Sequence, residues 1–162
     1  MQMTFLKDFK SHKTVWRIQV KVLHSWRQLN KIAGDSLEFI LLDANGTKIH
    51  ASCKKTCMDD LASKVPVGEW INIDHFSLTG AGRTYQTTKN ALRMNFVHKT
   101  SISESTLQIE ENFLDLVDCE TILSGKPDTN ILIGEIQISN AYDASQIFIN
   151  PEIEEAKVLN KR

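Results

Sequence analysis

The stretch from residue 15 to residue 99 alternates apolar and polar positions and predicts five short strands. The first strand begins VWRIQVKVLHSW. A period of two is expected of a strand that buries one face and exposes the other. The apolar side chains of this strand share one face: Trp16, Ile18, Val20 and Val22. We therefore expect these four side chains to lie in a hydrophobic core.

The second and third strands form a predicted hairpin, SLEFILLDANGTKIHASC, with its turn at Asn45-Gly46. Asn and Gly favour such a turn because both tolerate a positive φ. Residues 56–64 (TCMDDLASK) predict a short helix that ends before Pro66. The last two predicted strands are EWINIDHFSLTG and RTYQTTKNALRMNFVHK.

Five strands with one helix between the third and the fourth are the element order of an oligonucleotide-binding (OB) barrel. The predicted fold class is therefore mainly β, a five-stranded Greek-key barrel with a short acidic α/β extension at its C-terminal end. Such a barrel presents a groove that is usually used for single-stranded nucleic acid. The expected organisation is an N-terminal tail (1–14), the OB domain (15–100), an acidic linker with a short helix (101–130) and a final segment (131–162).

The distribution of charge supports a polyanionic partner for the front of the chain. The 162 residues have a formal net charge of -1. Residues 1–100 contain 15 Lys and Arg against 8 Asp and Glu, whereas residues 101–162 contain 4 against 12. A basic domain is typical of proteins that bind nucleic acid, and an acidic segment is typical of a solvated or protein-facing one.

Several classes of function are not expected from this sequence. No run of about 18 apolar residues predicts a membrane span, and the N-terminal residues lack the apolar core of a secretory signal. Three cysteines at irregular spacing predict reduced thiols and an intracellular location. No zinc-finger spacing, nucleophile triad or phosphate-binding loop is present. We therefore expect no metal, no cofactor, no membrane partner and no enzymatic activity.

Four segments resemble a known family: WRIQVKVLHSW, LEFILLDANGTKIHASCKK, VPVGEWINIDHFSLT and YQTTKNALRMNF. Together they resemble the first DNA-binding OB domain of replication protein A large-subunit-like proteins, especially the plant type. Residues 131–162 resemble the beginning and the end of a second OB domain whose middle is absent. The resemblance implies single-stranded DNA as partner, with RNA as an alternative, other subunits of the replication protein A type, a nuclear location, and roles in DNA replication, repair and recombination.

Binding of a single strand requires cations for the phosphates and flat side chains on which bases stack. Tyr85 matches a stacking position of the family, although packing at the rim of the barrel is an equal alternative. Trp26, at the end of the first strand, is the second stacking candidate, with a role only in capping the barrel as the alternative. The remaining candidates are basic side chains and one histidine: Arg27, Lys31, Lys48, His50, Lys54, Lys55, Arg83, Lys89 and Arg93.

One position departs from the family in a way that predicts weak binding. Lys54 stands where the resembling domains carry a second stacking aromatic, and a lysine contacts phosphate but does not stack. The expectation is therefore weak binding of low sequence specificity. Two alternatives remain open: a protein-interaction module that binds acidic peptides in the same groove, and a degenerate fragment with little activity.

Overall fold

The computed structural model describes residues 3–10, 16–31, 34–82, 86–110 and 124. Its five strands form a closed barrel in the order β1-β2-β3-β5-β4, and β4 pairs with β1 to close it. The β3–β5 pair is parallel and the other pairs are antiparallel. The strands are β1 (Arg17–Gln28), β2 (Ser36–Asp43), β3 (Lys48–Lys54), β4 (Trp70–Gly80) and β5 (Leu92–Glu104). The predicted OB fold is thus confirmed.

The core of the barrel contains the apolar face predicted for the first strand. Trp16 is 2% exposed, and Ile18, Val20 and Val22 are completely buried. The other strands contribute the alternate side chains that point to the barrel interior, among them Phe39, Leu41, Ile49, Ala51, Ile73 and Met94. Because the side-chain period of a strand is two, the neighbours of these residues must point outward.

The short helix between the third and fourth strands is also confirmed. α1 (Lys55–Leu61) continues into a 3-10 helix, Ala62–Lys64. Met58 and Leu61 are buried in the core of the barrel. Pro66 follows the 3-10 turn, as expected for a residue that disfavours a helical conformation in the residue before it.

The fifth strand differs from the prediction at both ends. It was expected over residues 83–99, but β5 begins at Leu92 and continues to Glu104. Residues 86–91 belong to the loop between β4 and β5. The strand extends past residue 100, the predicted domain boundary, because β4 offers a partner over this length: Ile71 pairs with Glu104, and Ile102 packs against the core.

Within the segment predicted as an N-terminal tail, the described residues 3–10 pack against the barrel through two apolar side chains. Leu6 lies in a 3-10 helix (Leu6–Asp8) and is only 1% exposed. The ring of Phe9 lies 4.9 Å from that of Trp16. These two apolar side chains explain this packing, since their burial stabilises the contact.

Asp43 joins this segment to the β2–β3 hairpin. Its Oδ2 accepts a hydrogen bond of 2.9 Å from the backbone N–H of Leu6. Its Oδ1 accepts bonds from the backbone N–H groups of Asn45 (3.0 Å) and Thr47 (2.9 Å). A single buried carboxylate therefore satisfies three backbone donors from two elements.

Residues 105–110 run along the outer surface of β1 and β4. Trp70 Nε1 donates to the carbonyl of Ile109 at 3.0 Å, and Lys21 Nζ donates to that of Glu110 at 3.1 Å. The final segment predicted at 131–162 lies outside the described residues, as do residues 111–123 and 125–130 of the predicted linker. Within the described part of the chain, no helix is long and apolar enough to cross a membrane.

Candidate nucleic-acid interface

Polar and aromatic side chains form two rows across the outside of the barrel. Residues paired across neighbouring strands point to the same face of a sheet, so the register defines which side chains are neighbours. One row contains Trp26, Glu38, Ser52, Asn95 and Ser77. The next row contains His24, Ile40, His50, Arg93 and Thr79. We call the surface formed by these two rows the front face.

Trp26 supplies an aromatic ring at the β1 edge of the front face. Its ring centroid lies 5.7 Å from that of His24, with the two rings nearly parallel, and 5.4 Å from that of His50. The indole is half-buried. Two imidazole neighbours thus restrain a flat, partly exposed ring at one of the two predicted stacking positions.

Glu38 lies beneath the polar side chains of the front face and is only 1% exposed. Its Oε2 accepts a hydrogen bond from Arg93 Nη2 at 2.7 Å and lies 2.9 Å from His50 Nε2. Its Oε1 accepts bonds from the hydroxyls of Ser52, at 2.9 Å, and Ser36. The carboxylate is therefore bonded on both oxygens.

These contacts decide the ionisation of Glu38. Burial alone would raise the pKa of this carboxyl, but hydrogen bonds from His50 and Ser36 and the charge of Arg93 outweigh burial and lower the pKa to about 2. Glu38 is therefore ionised at neutral pH. Its charge offsets that of Arg93, so this predicted phosphate contact is half of an ion pair.

His50 connects the front face to the loop between β4 and β5. Its Nδ1 lies 2.9 Å from the hydroxyl of Thr87, while its Nε2 faces Glu38. The same loop contains two candidate residues, Arg83 and Tyr85, which lie outside the described residues. The described contacts thus attach the neighbouring part of that loop to the centre of the front face.

Three predicted cations lie at one end of the barrel. Arg27 is near the end of β1, Lys54 ends β3 and Lys55 begins α1, and all three are exposed. Arg27 Nη2 lies 2.7 Å from Asp35 Oδ2, and this hydrogen bond lowers the pKa of Asp35. We call these three exposed cations, together with the Asp35 carboxylate that pairs with Arg27, the basic end.

The other predicted cations are more widely spread. Lys31 is exposed in the loop between β1 and β2, and Lys89 is exposed in the loop between β4 and β5. Lys48 is half-buried and precedes His50 by two positions on the same face of β3. The structure therefore brings Trp26 and His50 into contact, but it does not gather all the cations into a single cluster.

Sequence reasoning missed the side chains that organise this face: Ser36, Glu38, Ser52 and Thr87. The hairpin register contained a signal for one of them, since a turn at Asn45-Gly46 places Glu38 opposite Ser52. The Arg93 partner had no such signal, because the parallel β3–β5 pairing joins residues far apart in the sequence. Within the described residues, no group of three or more His, Cys, Asp or Glu could hold a metal ion.

The sequence comparison identifies the family. Residues 7–125 match the model described as "Domain of unknown function DUF223", and the chain belongs to this family. No curated protein matches the chain significantly.

Two solved structures are similar in fold. One is a chain of a replication protein A heterotrimer bound to single-stranded DNA, at 16% identity and a TM-score of 0.58; the match covers 75% of this chain and 29% of that one. The other is DNA binding domain A of replication protein A from S. cerevisiae, at 16% identity and a TM-score of 0.52, covering 67% of this chain and 99% of that domain. At this identity the likeness establishes a replication protein A-like OB fold.

Proposed function

We propose that this chain binds single-stranded nucleic acid, DNA in the first place, along the front face and the basic end. The observation that carries the proposal is the position of Trp26, a partly exposed indole held between His24 and His50. Exposed cations continue this surface toward one end of the barrel. Stacking surfaces combined with cations are the two components that binding of a single strand requires.

In the proposed complex the two components act on different parts of the ligand. A base stacks on Trp26, a contact worth about 1–3 kcal/mol in comparable proteins. Arg27, Lys54 and Lys55 contact phosphates and displace counterions, so binding weakens as salt rises. Tyr85 remains the second proposed stacking residue on sequence grounds.

The proposed affinity is low and the proposed specificity weak. Lys54 supplies charge where the resembling domains stack a second base, and a lysine does not stack. The finer parts of the assignment are proposals of the same kind: a large-subunit-like protein of the plant type, a nuclear location, action in DNA replication, repair and recombination, and partner subunits of the replication protein A type. The similarity in fold to the two replication protein A structures supports nucleic-acid binding and partner subunits, whereas the plant type, the nuclear location and the cellular roles rest on the sequence resemblance. We propose a binding protein rather than an enzyme.

Replacement of Trp26 tests the proposed surface. Titration of a fluorescent oligo-dT should give saturable binding that Trp26→Ala weakens about tenfold or more, because one stacked base is lost. Tyr85→Ala is expected to act in the same direction. Phe5→Ala is a matched control, since this ring is 44% exposed and lies on the N-terminal segment. Equal affinities of the Trp26 and Phe5 variants would contradict the proposed surface.

A second candidate function is the binding of acidic peptides at the basic end. The observation that favours it is the exposed pair Lys54 and Lys55, which supplies charge without an aromatic ring. An acidic peptide that competes with oligo-dT and binds the Trp26→Ala variant as tightly as the parent would support this function. A peptide that fails to compete at low salt would exclude it.

A further inference from the structure

The least expected feature of the front face is a buried carboxylate beside Trp26. A surface that binds a polyanion gains nothing from a negative charge, and Coulomb's law opposes it. Glu38 nevertheless lies directly beside Trp26 in its row, and it is buried rather than exposed. Because Glu38 is negatively charged and buried, we expect it to have a role other than contact with phosphate.

The geometry of Arg93 indicates what that role is. Glu38 Oε2 holds Arg93 Nη2 at 2.7 Å, while 33% of the arginine side chain stays exposed. Arg93 Nε is buried and has no hydrogen-bond partner within the described part of the chain. Arg93 Nη2 also lies 3.4 Å from His50 Nε2. Glu38 and His50 together therefore hold this nitrogen, while part of the side chain stays exposed to a ligand.

The same carboxylate also orients His50. The imidazole bridges Glu38 and the hydroxyl of Thr87, at 2.9 Å on each side. It also packs against Trp26, with ring centroids 5.4 Å apart. One buried group therefore restrains a cation, an aromatic neighbour and a loop at the same time.

We propose that Glu38 is a positioning residue for single-stranded nucleic acid, acting through Arg93 and His50. This inference rests on the proposed function. It states that Glu38 raises the affinity for the strand although its negative charge repels the ligand. A guanidinium that is already oriented before the ligand arrives loses less conformational entropy when it binds.

The test uses Glu38→Gln in the oligo-dT titration. Glutamine keeps the shape of the side chain but removes the negative charge that pairs with Arg93 and replaces one accepting oxygen with a donating amide. We expect binding to weaken about tenfold, the equivalent of one charge-assisted hydrogen bond. Electrostatics alone predicts the reverse, since the variant is one unit more positive. Tighter binding by Glu38→Gln would overturn the proposal.

Glu69→Gln is the control with the same change of net charge. Glu69 is exposed in the segment before β4, and its replacement should leave the affinity unchanged or slightly higher. Thermal unfolding establishes that each variant is folded at the temperature of the titration. If Glu38→Gln does not fold, Thr87→Val tests the same network without leaving a buried charge, and it should weaken binding about three- to fivefold. Unchanged affinity of this variant would then overturn the proposal.

A double-mutant cycle with Arg93→Gln separates positioning from a general loss of structure. If Glu38 acts through Arg93, Glu38→Gln should change the affinity much less in the Arg93→Gln background than in the parent. If the effects of the two substitutions on the free energy of binding are fully additive, Glu38 does not act through Arg93 and the proposal is overturned. A parent chain that fails to bind oligo-dT would instead contradict the proposed function, so the two failures are distinguishable.

Discussion

Glu38 shows how a single residue determines the character of a surface. Its strand reads SLEFILLD, in which the acidic side chain alternates with apolar neighbours. That alternation correctly predicts that Glu38 and Phe39 point to opposite faces. It does not reveal that the glutamate is buried as well, because the side chains that cover it come from β3 and β5.

The lowered pKa of Glu38 predicts how stability depends on pH. The folded-state pKa is about 2 and the ordinary value is 4.5, so the folded form holds this proton less tightly than the unfolded chain. The resulting stabilisation is complete above pH 4.5 and is lost as the pH falls from 4.5 toward 2. Glu38→Gln should therefore lower the Tm at neutral pH and reduce its decline over this interval.

Circular dichroism melting at a series of pH values measures this effect. Asp74 also has a lowered pKa, chiefly through its hydrogen bond with Arg17, so part of the decline in Tm should persist in the variant. If the Tm of the parent and the Tm of Glu38→Gln fall by the same amount between pH 4.5 and 2, Glu38 is not the source of the acid sensitivity.

His75 is a second residue for which the structure predicts an effect of substitution on stability. It adopts a positive φ of 57° at the irregularity in β4 between Asp74 and Phe76. A β-branched side chain is poorly tolerated there, and the left-handed conformation costs an L-residue about 1–2 kcal/mol. His75→Val should therefore lower the free energy of unfolding by about 1 kcal/mol or more, whereas His75→Gly should be tolerated or stabilising. Urea unfolding of both variants checks this order, and greater stability of the valine variant would contradict it.

At the scale of elements, Asp43 predicts that the N-terminal 3-10 helix and the β2–β3 hairpin are coupled. Asp43→Ala removes three hydrogen bonds to backbone donors of Leu6, Asn45 and Thr47. At roughly 1 kcal/mol for each bond, the free energy of unfolding should fall by about 2–3 kcal/mol.

Asp8→Ala is the matched control for this prediction. Asp8 is an exposed aspartate in the same 3-10 helix, so its replacement should cost less than about 0.5 kcal/mol. Guanidinium unfolding of the two variants gives the comparison. An Asp43 variant as stable as the Asp8 variant would show that the hydrogen bonds do not couple the elements.

The elements also show which features of the fold local sequence patterns can predict. The hairpin around Asn45-Gly46 was predictable because its turn chemistry and its alternation are local. The start of β5 at Leu92 was not, since TTKN before it lies in a loop although Thr has a high β propensity. The end of β5 at Glu104 depends on pairing with Ile71 of β4, a partner distant in the sequence.

At the scale of the whole molecule, the barrel closes so that one outer face is polar and aromatic. The predicted order of elements was sufficient for the topology, and charge counts were sufficient to suggest a polyanion. Neither could show that the basic end adjoins the Glu38 network. That arrangement follows from the register of paired strands, which places Lys54 beside Ser36, a hydrogen-bond partner of Glu38, and Arg93 beside His50.

The described start of the acidic segment also has a place in the whole molecule. Residues 105–110 contact Lys21 on β1 and Trp70 on β4, and they therefore lie on a surface other than the front face. Lys21 is thereby engaged by backbone carbonyls. The exposed cations of the basic end are Arg27, Lys54 and Lys55, with Lys31 in the adjoining loop.

The most direct test of the account is the salt dependence of oligo-dT binding by the parent chain. If Arg27, Lys31, Lys54 and Lys55 each contact a phosphate, the logarithm of the association constant should fall against the logarithm of salt concentration with a slope of about -3. Saturable binding with such a slope is the predicted result. The absence of saturable binding at low salt, or a slope near zero, would contradict the claim that this barrel binds a nucleic-acid strand.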